Sequence, residues 1–342
     1  MSLPIHPPFA PMEALLVNEI PNGNGWQYEP KWDGFRCLVF REWSKVELQS
    51  KSGQPLTRYF PELVQAFQKL KAPNFVLDGE IAVPIDEQFS FDELLQRIHP
   101  AESRVRKLAL EHPALFIAFD LLAENEAGTL VQTPLPERRL HLEQFAKKYF
   151  PNNQAIRLSP ATTDLATARK WFKTVGGDLD GVIAKRLDCP YTSGARTGMQ
   201  KVKFTRSADC VVGGFRYASN AKVVGSLLLG LYNDSELLDH VGFCSGLKAD
   251  ERKVLLKKLT PLIKPPGFSG HAPGGLRRWS TRRSMEWEPL KPELVVEVSY
   301  DHFTGNRFRH GTGLLRWRPD KAPKECRMDQ VERSGKGSLA LL

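Results

Sequence analysis

Cysteine is scarce in this chain, and the few cysteines are scattered. The 342 residues include five, an odd number with no Cys-x-x-Cys pair: Cys37, Cys189, Cys210, Cys244 and Cys326. This pattern argues against a cysteine-based zinc site and against a disulfide scaffold. We expect reduced, mostly buried thiols, as in a cytoplasmic protein.

Long apolar runs are also missing. No stretch approaches the roughly 20 residues needed to cross a bilayer. The N-terminus, MSLPIHPPFAPMEALL, lacks the basic flank and continuous apolar core of a signal peptide. The sequence therefore predicts a cytoplasmic protein without a membrane partner. There is also no internal repeat, and no Gly-x-Gly-x-x-Gly loop of a dinucleotide-binding fold.

Acidic residues are outnumbered by basic ones. Lysine and arginine total 48 against 39 aspartates and glutamates, which gives a formal charge of +9. Such an excess suits a polyanionic partner such as nucleic acid, although many enzymes with other substrates are mildly basic too. The length is sufficient for two domains with cores of their own.

The hydrophobic pattern changes near residue 205. Before it, helical periodicity at 59–70, 91–98, 135–149 and 164–175 alternates with strand-like runs at 74–83, 114–126 and 180–187. This predicts an α+β domain with mixed or antiparallel sheets over residues 1–205. Short strands at hairpin spacing and one helical pattern at 248–259 follow. They predict an oligonucleotide-binding (OB-fold) β-barrel over residues 206–342.

Lys31 stands in the stretch YEPKWDGFR. Because proline and Asp-Gly are turn formers, an exposed turn lysine is the simplest interpretation of this stretch alone. A nucleophilic lysine would need a lowered pKa, from burial or neighbouring cations, and an electrophile held beside it.

Other charged residues fall inside apolar strand patterns. Lys201 and Lys203 flank one valine, so they share a strand face, where their repulsion favours an anion such as a nucleotide phosphate. Glu80 and Asp180 each adjoin a glycine in an apolar run. Buried acids need partners, and a ribose hydroxyl or a hydrated divalent metal ion would serve.

Seven segments occur in a characteristic order: KWDGFR, SKSG, LDGE, FIAFDLL, DGVIAKR, KVK and RWRPDK. This ordered set resembles the ATP-dependent DNA ligases and, more widely, the covalent nucleotidyltransferases, which include RNA ligases and mRNA capping enzymes. The resemblance runs from about residue 10 to 330. TRYFPEL, CRMDQV and the stretch around DHFTGNRF look like the small bacterial C-type repair ligases. The family's adenylation domain followed by an OB-fold is the implied architecture.

The resemblance implies that Lys31 attacks ATP and carries AMP. The other implied nucleotide contacts are Glu29, Arg36, Lys51, Glu80, Phe119, Lys185, Lys201, Lys203, Arg316, Arg318 and Lys321. Glu80 and Asp180 would be ligands for Mg²⁺ or Mn²⁺. The family usually has glutamate at position 180, and the shorter Asp180 could hold the metal through water. The family usually has arginine at position 51, and Lys51 offers a point charge in place of a bidentate phosphate contact.

The implied roles compete with ordinary structural ones. Glu29 would contact the adenine amino group, and the alternative is a solvated acid. Arg36 would contact ribose or DNA phosphate, and the alternative is a structural ion pair. Phe119 would stack on adenine or belong to the core. Arg316, Arg318 and Lys321 would meet the leaving pyrophosphate or form an exposed basic strand. Trp26 and Trp32 are expected to pack.

Nicked double-stranded DNA is the implied partner, in bacterial DNA repair. The basic stretch RRWSTRR, residues 277–283, is either a phosphate-backbone contact or a solvated loop. We expect a nucleoid-associated monomer that works with separate repair polymerases or end-binding proteins. Lys31 comes so early that no DNA-encircling domain is expected before it. An RNA ligase or capping-type enzyme, and a catalytically silent nucleic-acid-binding scaffold, are the alternatives.

Overall fold

The chain forms two units. In a computed structural model, the first unit comprises Met1–Phe204 and Ser334–Leu342, and the second comprises Thr205–Arg333. The structure describes residues 3–151, 153–174, 179–274, 286–331 and 338–342. The predicted second domain, 206–342, included the C-terminal tail, which belongs to the first unit instead. The reason is that the apolar residues Leu339, Leu341 and Leu342 pack against a cluster of the first unit that includes Trp32 and Phe89.

The first unit contains two sheets and a short ribbon. The four-stranded sheet has the order β1-β12-β11-β2, and the six-stranded sheet has the order β10-β8-β5-β3-β4 with β9 beside β8. The strands are β1 (Leu15–Leu16), β2 (Trp26–Trp32), β3 (Phe35–Glu42), β4 (Lys45–Ser50), β5 (Asn74–Ala82), β6 (Pro84–Ile85), β7 (Gln88–Phe89), β8 (Leu115–Glu124), β9 (Gly128–Thr129), β10 (Ile156–Leu158), β11 (Leu179–Arg186) and β12 (Met199–Lys203). β6 and β7 form the ribbon.

The six-stranded sheet is buried on both faces. One face carries Cys37 and Val39, and it joins a core that also contains Leu63 and Leu142. The alternate residues Leu38 and Phe40 point to the other face and pack with residues that include Met199 of β12. Strands buried on both faces need continuous apolar runs. A charged residue on the second face therefore needs a partner or a ligand.

The described residues of the first unit contain five α-helices: α1 (Pro61–Lys69), α2 (Phe91–Gln96), α3 (Glu102–Glu111), α4 (Leu135–Tyr149) and α5 (Leu165–Thr174). α1 begins with Pro61, whose missing N–H costs nothing in the first turn, and it buries Leu63 and Phe67 within the predicted helical pattern of residues 59–70. The four helices predicted in this part of the chain are present. α3 was not predicted.

The second unit is an antiparallel sheet that closes on itself. Its order is β15-β14-β13-β17-β20, with β16 beside β13. A bridge between Cys244 at the end of β15 and Thr312 just before β20 joins the two edges. The elements are β13 (Arg206–Ala218), β14 (Ala221–Tyr232), β15 (Leu238–Cys244), α6 (Glu251–Leu259), β16 (Glu288–Pro289), β17 (Val295–Tyr300), β18 (Phe303–Thr304), β19 (Arg307–Phe308) and β20 (Gly313–Trp317). In the described part of this unit, five barrel strands and one α-helix agree with the predicted OB-fold.

Within the described part of the chain, no helix combines the length and apolarity that a membrane crossing requires.

Candidate active site

Three strands of the four-stranded sheet present their alternate side chains to one cavity. Antiparallel pairing aligns three rows across β2, β11 and β12. The rows are Lys31–Gly181–Lys203, Glu29–Ile183–Lys201 and Gln27–Lys185–Met199. Because residues two apart on a strand share a face, the sequence spacing E-x-K and K-x-K places these charges side by side.

The opposite wall comes from the six-stranded sheet. Arg36 on β3 lies directly across from Glu80 on β5. The pairing of β5 with β8 is irregular between Asp78 and Gly79, which leaves Phe119 as an extra residue between the paired Ala118 and Asp120. A bulge of this kind turns a side chain away from the regular alternation. Phe119 lines the cavity as a result.

The cavity has a volume of about 830 Å³ and belongs to the first unit. It is lined by eight of the predicted site residues: Glu29, Lys31, Arg36, Lys51, Glu80, Phe119, Lys185 and Lys201. Its volume is within the range of small-molecule sites. Asp180 and Lys203 stand beside it, where Asp180 contacts Lys31 and its Oδ1 lies 4.0 Å from Lys203 Nζ. The structure therefore gathers every predicted site residue of the first unit.

Lys31 is held by Asp180 rather than exposed in a turn. Its Nζ donates a hydrogen bond to Asp180 Oδ2. The register of β11 shifts between Leu179 and Gly181, so Asp180 occupies an irregularity opposite β2. Gly181 has φ +141°, and a Cβ there would lie 1.8 Å from the carbonyl oxygen of Val202. Only glycine fits this close approach of β11 to β12.

Gly34 permits a second close approach, beside Glu80. A Cβ on Gly34 would lie 2.2 Å from the carbonyl oxygen of Ile81 and 2.9 Å from Glu80 Cγ. Burial raises the pKa of Glu80 to about 8, although the charges of Lys31 and Arg36 oppose this rise. Such a carboxyl group lacks compensation in the protein and suits a hydroxyl or a cation brought by a ligand.

Arg36 is fixed by buried partners. Its Nε and Nη2 donate to the two oxygens of Asp78 at 3.0 and 2.6 Å, and Tyr191 Oη donates to the same carboxylate at 2.6 Å. Burial opposes the positive charge, but Asp78 more than offsets it and raises the pKa of Arg36. The guanidinium also lies 5.5 Å from the centre of the Phe119 ring. Arg36 thus forms the structural ion pair that was its alternative role, and it also lines the cavity, where a ligand could contact it.

Glu29 and Lys185 form a buried pair. Lys185 Nζ lies 2.9 Å from Glu29 Oε1, donates to the carbonyl of Phe119 at 3.0 Å, and lies 3.7 Å from Asp120 Oδ2. Arg138 and Lys185 hold the pKa of Asp120 below its usual range despite its burial. Glu29 is 2% exposed, so it is not a solvated acid.

Cations crowd the remaining side of the cavity. Burial lowers the pKa of Lys201, and the charges of Lys31, Lys51 and Lys203 lower it further. This is the repulsion that the Lys-x-Lys spacing predicted, and an anion would relieve it. Lys51 lies on the turn after β4, with Nζ 3.2 Å from Glu13 Oε2.

The cations predicted to meet pyrophosphate lie on the second unit, each paired with carboxylates. Arg316 Nε donates to Glu297 Oε2 at 2.6 Å, and its side chain is 65% exposed. Arg318 donates to Asp209 and Asp320, and Lys321 Nζ lies 3.0 Å from Asp209 Oδ2. Arg318 is therefore also a structural residue of this unit.

Several polar residues around the cavity were not predicted. They are Glu13, Gln27, Asp78, Asp120, Arg138 and Tyr191. Two had a usable signal, because Gln27 and Asp78 precede Glu29 and Glu80 by two residues on the same strands. The basic stretch 277–283 lies outside the described residues. Trp32 packs, as expected, against Phe89 and donates to Ser159 Oγ at 3.0 Å.

Comparisons with known proteins agree with this site. Residues 11–203 match the ATP dependent DNA ligase domain, and residues 220–321 match the ATP dependent DNA ligase C terminal region. DNA ligase C2 of Mycolicibacterium smegmatis and DNA ligase C of Mycobacterium tuberculosis are each 44% identical, covering 97% of this chain and 96% of theirs.

A solved structure from a study of Lig E DNA ligases shares the fold. It is 14% identical, with a TM-score of 0.54 over 90% of this chain and 100% of the other. Because both ligase domains match in order and full-length relatives align over nearly the whole chain, this protein belongs to the family of ATP-dependent DNA ligases.

Proposed function

We propose that this enzyme seals nicks between a 5′-phosphate and a 3′-hydroxyl in double-stranded DNA through an AMP adduct of Lys31. The observation that carries the proposal is the position of Lys31 on the cavity floor, in contact with Asp180 and one row from Glu29 and Lys201. The deprotonated Nζ attacks the α-phosphorus of ATP, a P–N bond forms, and pyrophosphate leaves.

The same residues serve the two later transfers. The 5′-phosphate at the nick attacks the lysyl adenylate, and AMP moves from Lys31 to that phosphate. The 3′-hydroxyl then attacks the activated phosphate, a phosphodiester forms, and AMP leaves. All three steps are phosphoryl transfers, which depend on positioning and charge neutralisation. A cavity lined by several cations suits them.

The cavity offers a contact for each part of the nucleotide. Phe119 provides a ring for stacking on the adenine, and Glu29 accepts from its amino group. Glu80 accepts from ribose, where Arg36 also makes contact. Lys201 and Lys203 neutralise the α-phosphate, and Lys51 is a further phosphate contact. Arg316, Arg318 and Lys321 belong to the second unit and not to the cavity, and their proposed role is to meet the leaving pyrophosphate in the first step.

Two carboxylates fit a divalent metal ion. Glu80 has a raised pKa of about 8 and lines the cavity, and Asp180 stands beside Lys31. Among the described residues, no group of three or more His, Cys, Asp or Glu side chains could hold a metal by itself. Mg²⁺ or Mn²⁺ is typically bound by few carboxylates together with phosphates and water, so Glu80 and Asp180 would be its protein ligands. The ion would neutralise charge on the reacting phosphates.

We propose the following cellular setting for this substrate. The enzyme works as a monomer on nicked chromosomal DNA at the nucleoid, in bacterial DNA repair. Separate polymerases or end-binding proteins prepare the nick.

Intact-protein mass spectrometry tests the role of Lys31. Wild-type protein incubated with ATP and Mg²⁺ should gain the mass of AMP, whereas Lys31→Ala should not, because the P–N bond requires Nζ. Lys45→Ala is the matched control, since Lys45 is exposed and pairs with Glu47. An AMP adduct on Lys31→Ala would contradict the assignment.

Sealing assays separate the alternatives. Nicked duplexes with DNA or RNA on each side of the nick distinguish a DNA ligase from an RNA ligase, and labelled GTP reveals a capping-type activity. A protein that forms no adduct with either nucleotide would be a binding scaffold.

A further inference from the structure

Gln27 is a buried polar residue outside the recognisable ligase motifs. Its side chain is 6% exposed, and Nε2 donates to Glu29 Oε1 at 2.8 Å. The two residues are two apart on β2 and so share the cavity-facing side of the strand. A buried amide requires such a partner, but nothing in nucleotide binding as described above requires an amide at this position.

A second donor meets the same oxygen. Lys185 on β11 lies opposite Gln27 in the register of β11 with β2, and Lys185 Nζ lies 2.9 Å from Glu29 Oε1. Lys185 is itself fixed by the carbonyl of Phe119 at 3.0 Å. Within the described ranges, no residue donates a hydrogen bond to the other oxygen of Glu29, Oε2.

Two donors on one oxygen orient the whole carboxylate. Rotating Glu29 would break both contacts in a buried setting, where unpaired polar groups are costly. Since Glu29 lines the cavity, Oε2 is the oxygen available to a ligand there. An ionised carboxylate only accepts hydrogen bonds. It favours a ligand with an amino group and repels one with a carbonyl oxygen at the same place.

We infer that Gln27 is a positioning residue that sets nucleotide specificity: with Lys185 it aims Glu29 Oε2 at the 6-amino group of the purine. This rests on the proposed placement of adenine beside Glu29. Adenine has a donor at position 6, whereas hypoxanthine and guanine have an acceptor and unsubstituted purine has neither. Gln27 therefore acts on the choice between these bases and not on the transfer chemistry.

The test measures discrimination between bases. Rates of adduct formation (kcat/KM) are measured with ATP, ITP and purine riboside triphosphate for the wild type and for Gln27→Met, which keeps the side-chain size but removes the donor. We expect the preference for ATP over purine riboside triphosphate to fall about tenfold, the scale of one hydrogen bond to a charged group. Gln27→Asn is the second variant, because it keeps a buried amide but withdraws the donor.

Gln49→Met is the matched control. Gln49 is also a buried glutamine of the first unit, 3% exposed, but it bonds to the backbone of Phe9. This variant should keep the wild-type preference. Equal loss with all three nucleotides in the Gln27 variants, an unchanged preference, or a changed preference in Gln49→Met would overturn the inference.

A binding measurement separates this inference from the proposed function. Dissociation constants of the same three nucleotides without divalent metal need no chemistry, and the Gln27 variants should lose the preference there too. If the wild type seals nicks but its binding preference does not depend on Gln27, the inference fails and the function stands. If the preference depends on Gln27 but no adduct or sealing occurs, the function fails and the inference stands.

Discussion

At the scale of single residues, Asp180 is a position where this chain departs from the usual ligase sequence. A glutamate is usual at this position, and aspartate is one methylene shorter. The irregular register of β11 nevertheless brings the carboxylate into contact with Lys31 Nζ. The shorter aspartate side chain therefore still reaches Lys31 in this backbone arrangement.

Asp180→Asn should slow adduct formation about 10²-fold, the usual cost of losing one positioned electrostatic group. The substitution removes the charge that faces Lys31 and Lys203 while keeping the shape. Asp180→Glu should be less affected, because it keeps the charge. The measurement is single-turnover adduct formation at saturating Mg²⁺, with circular dichroism to confirm folding. Wild-type rates in Asp180→Asn would contradict a role for this carboxylate.

At the scale of elements, β-bulges and glycines shape the cavity. Phe119 and Asp180 both sit where strand pairing is irregular. Gly34 lets β5 approach the turn after β2, and Gly181 does the same between β11 and β12. These local irregularities and close approaches let the strands present their side chains to the cavity.

Gly34→Ala should destabilise the protein by about 1–3 kcal/mol, the usual cost of overpacking, and should impair adduct formation. The new Cβ would meet the carbonyl of Ile81 at 2.2 Å and displace Glu80. Gly25→Ala is the control, since nothing lies within 4 Å of its added Cβ. Thermal unfolding and adduct assays measure the two effects. Equal stability of both variants would argue against the close approach.

Arg316 on β20 should separate step one from the later steps. Arg316→Ala should reduce adduct formation from ATP more than sealing of a pre-adenylated nick, because pyrophosphate is present only in the first step. Arg316 is the cleaner probe, as its side chain is 65% exposed. Arg318→Ala should in addition lower the midpoint of thermal unfolding, since it leaves the buried Asp209 without its arginine partner. Equal loss of both Arg316→Ala activities would count against pyrophosphate contact.

At the scale of the whole molecule, the formal charge of +9 predicts that electrostatic attraction dominates DNA binding. A ligase must act at any sequence, so phosphate contacts should dominate over base contacts. If about six phosphates are neutralised, log K should fall against log salt with a slope of roughly −5. Titrations of nicked duplexes of two unrelated sequences at several salt concentrations measure this. A slope near zero would exclude an electrostatic grip.

The basic stretch 277–283 can be tested in the same titration. Replacing Arg277, Arg278, Arg282 and Arg283 together should flatten the slope if these residues touch phosphates, while adduct formation persists. An unchanged slope would identify the stretch as solvated surface.

The sequence by itself determined the family, the two-part architecture and which residues are candidates for the site. Spacing alone put Glu29 with Lys31, and Lys201 with Lys203, on shared strand faces, because side chains alternate along any strand. Motif order identified Phe119 and Asp180, but regular alternation could not explain how they reach the cavity. The spacing of Gln27 and Glu29 also placed them on one strand face, but it did not show that Gln27 donates a hydrogen bond to Glu29.

Tertiary structure decided how these residues are combined. Only strand register places Lys185 beside Glu29, separated by 156 positions in the sequence, and only the bulges turn Phe119 and Asp180 toward the cavity. The pairing of Arg318 with Asp209 and the packing of the apolar tail on the first unit are likewise long-range contacts. The local sequence pattern indicates which face of a strand or helix a residue occupies. It cannot report which distant strand lies opposite, because that is set by packing of the whole core.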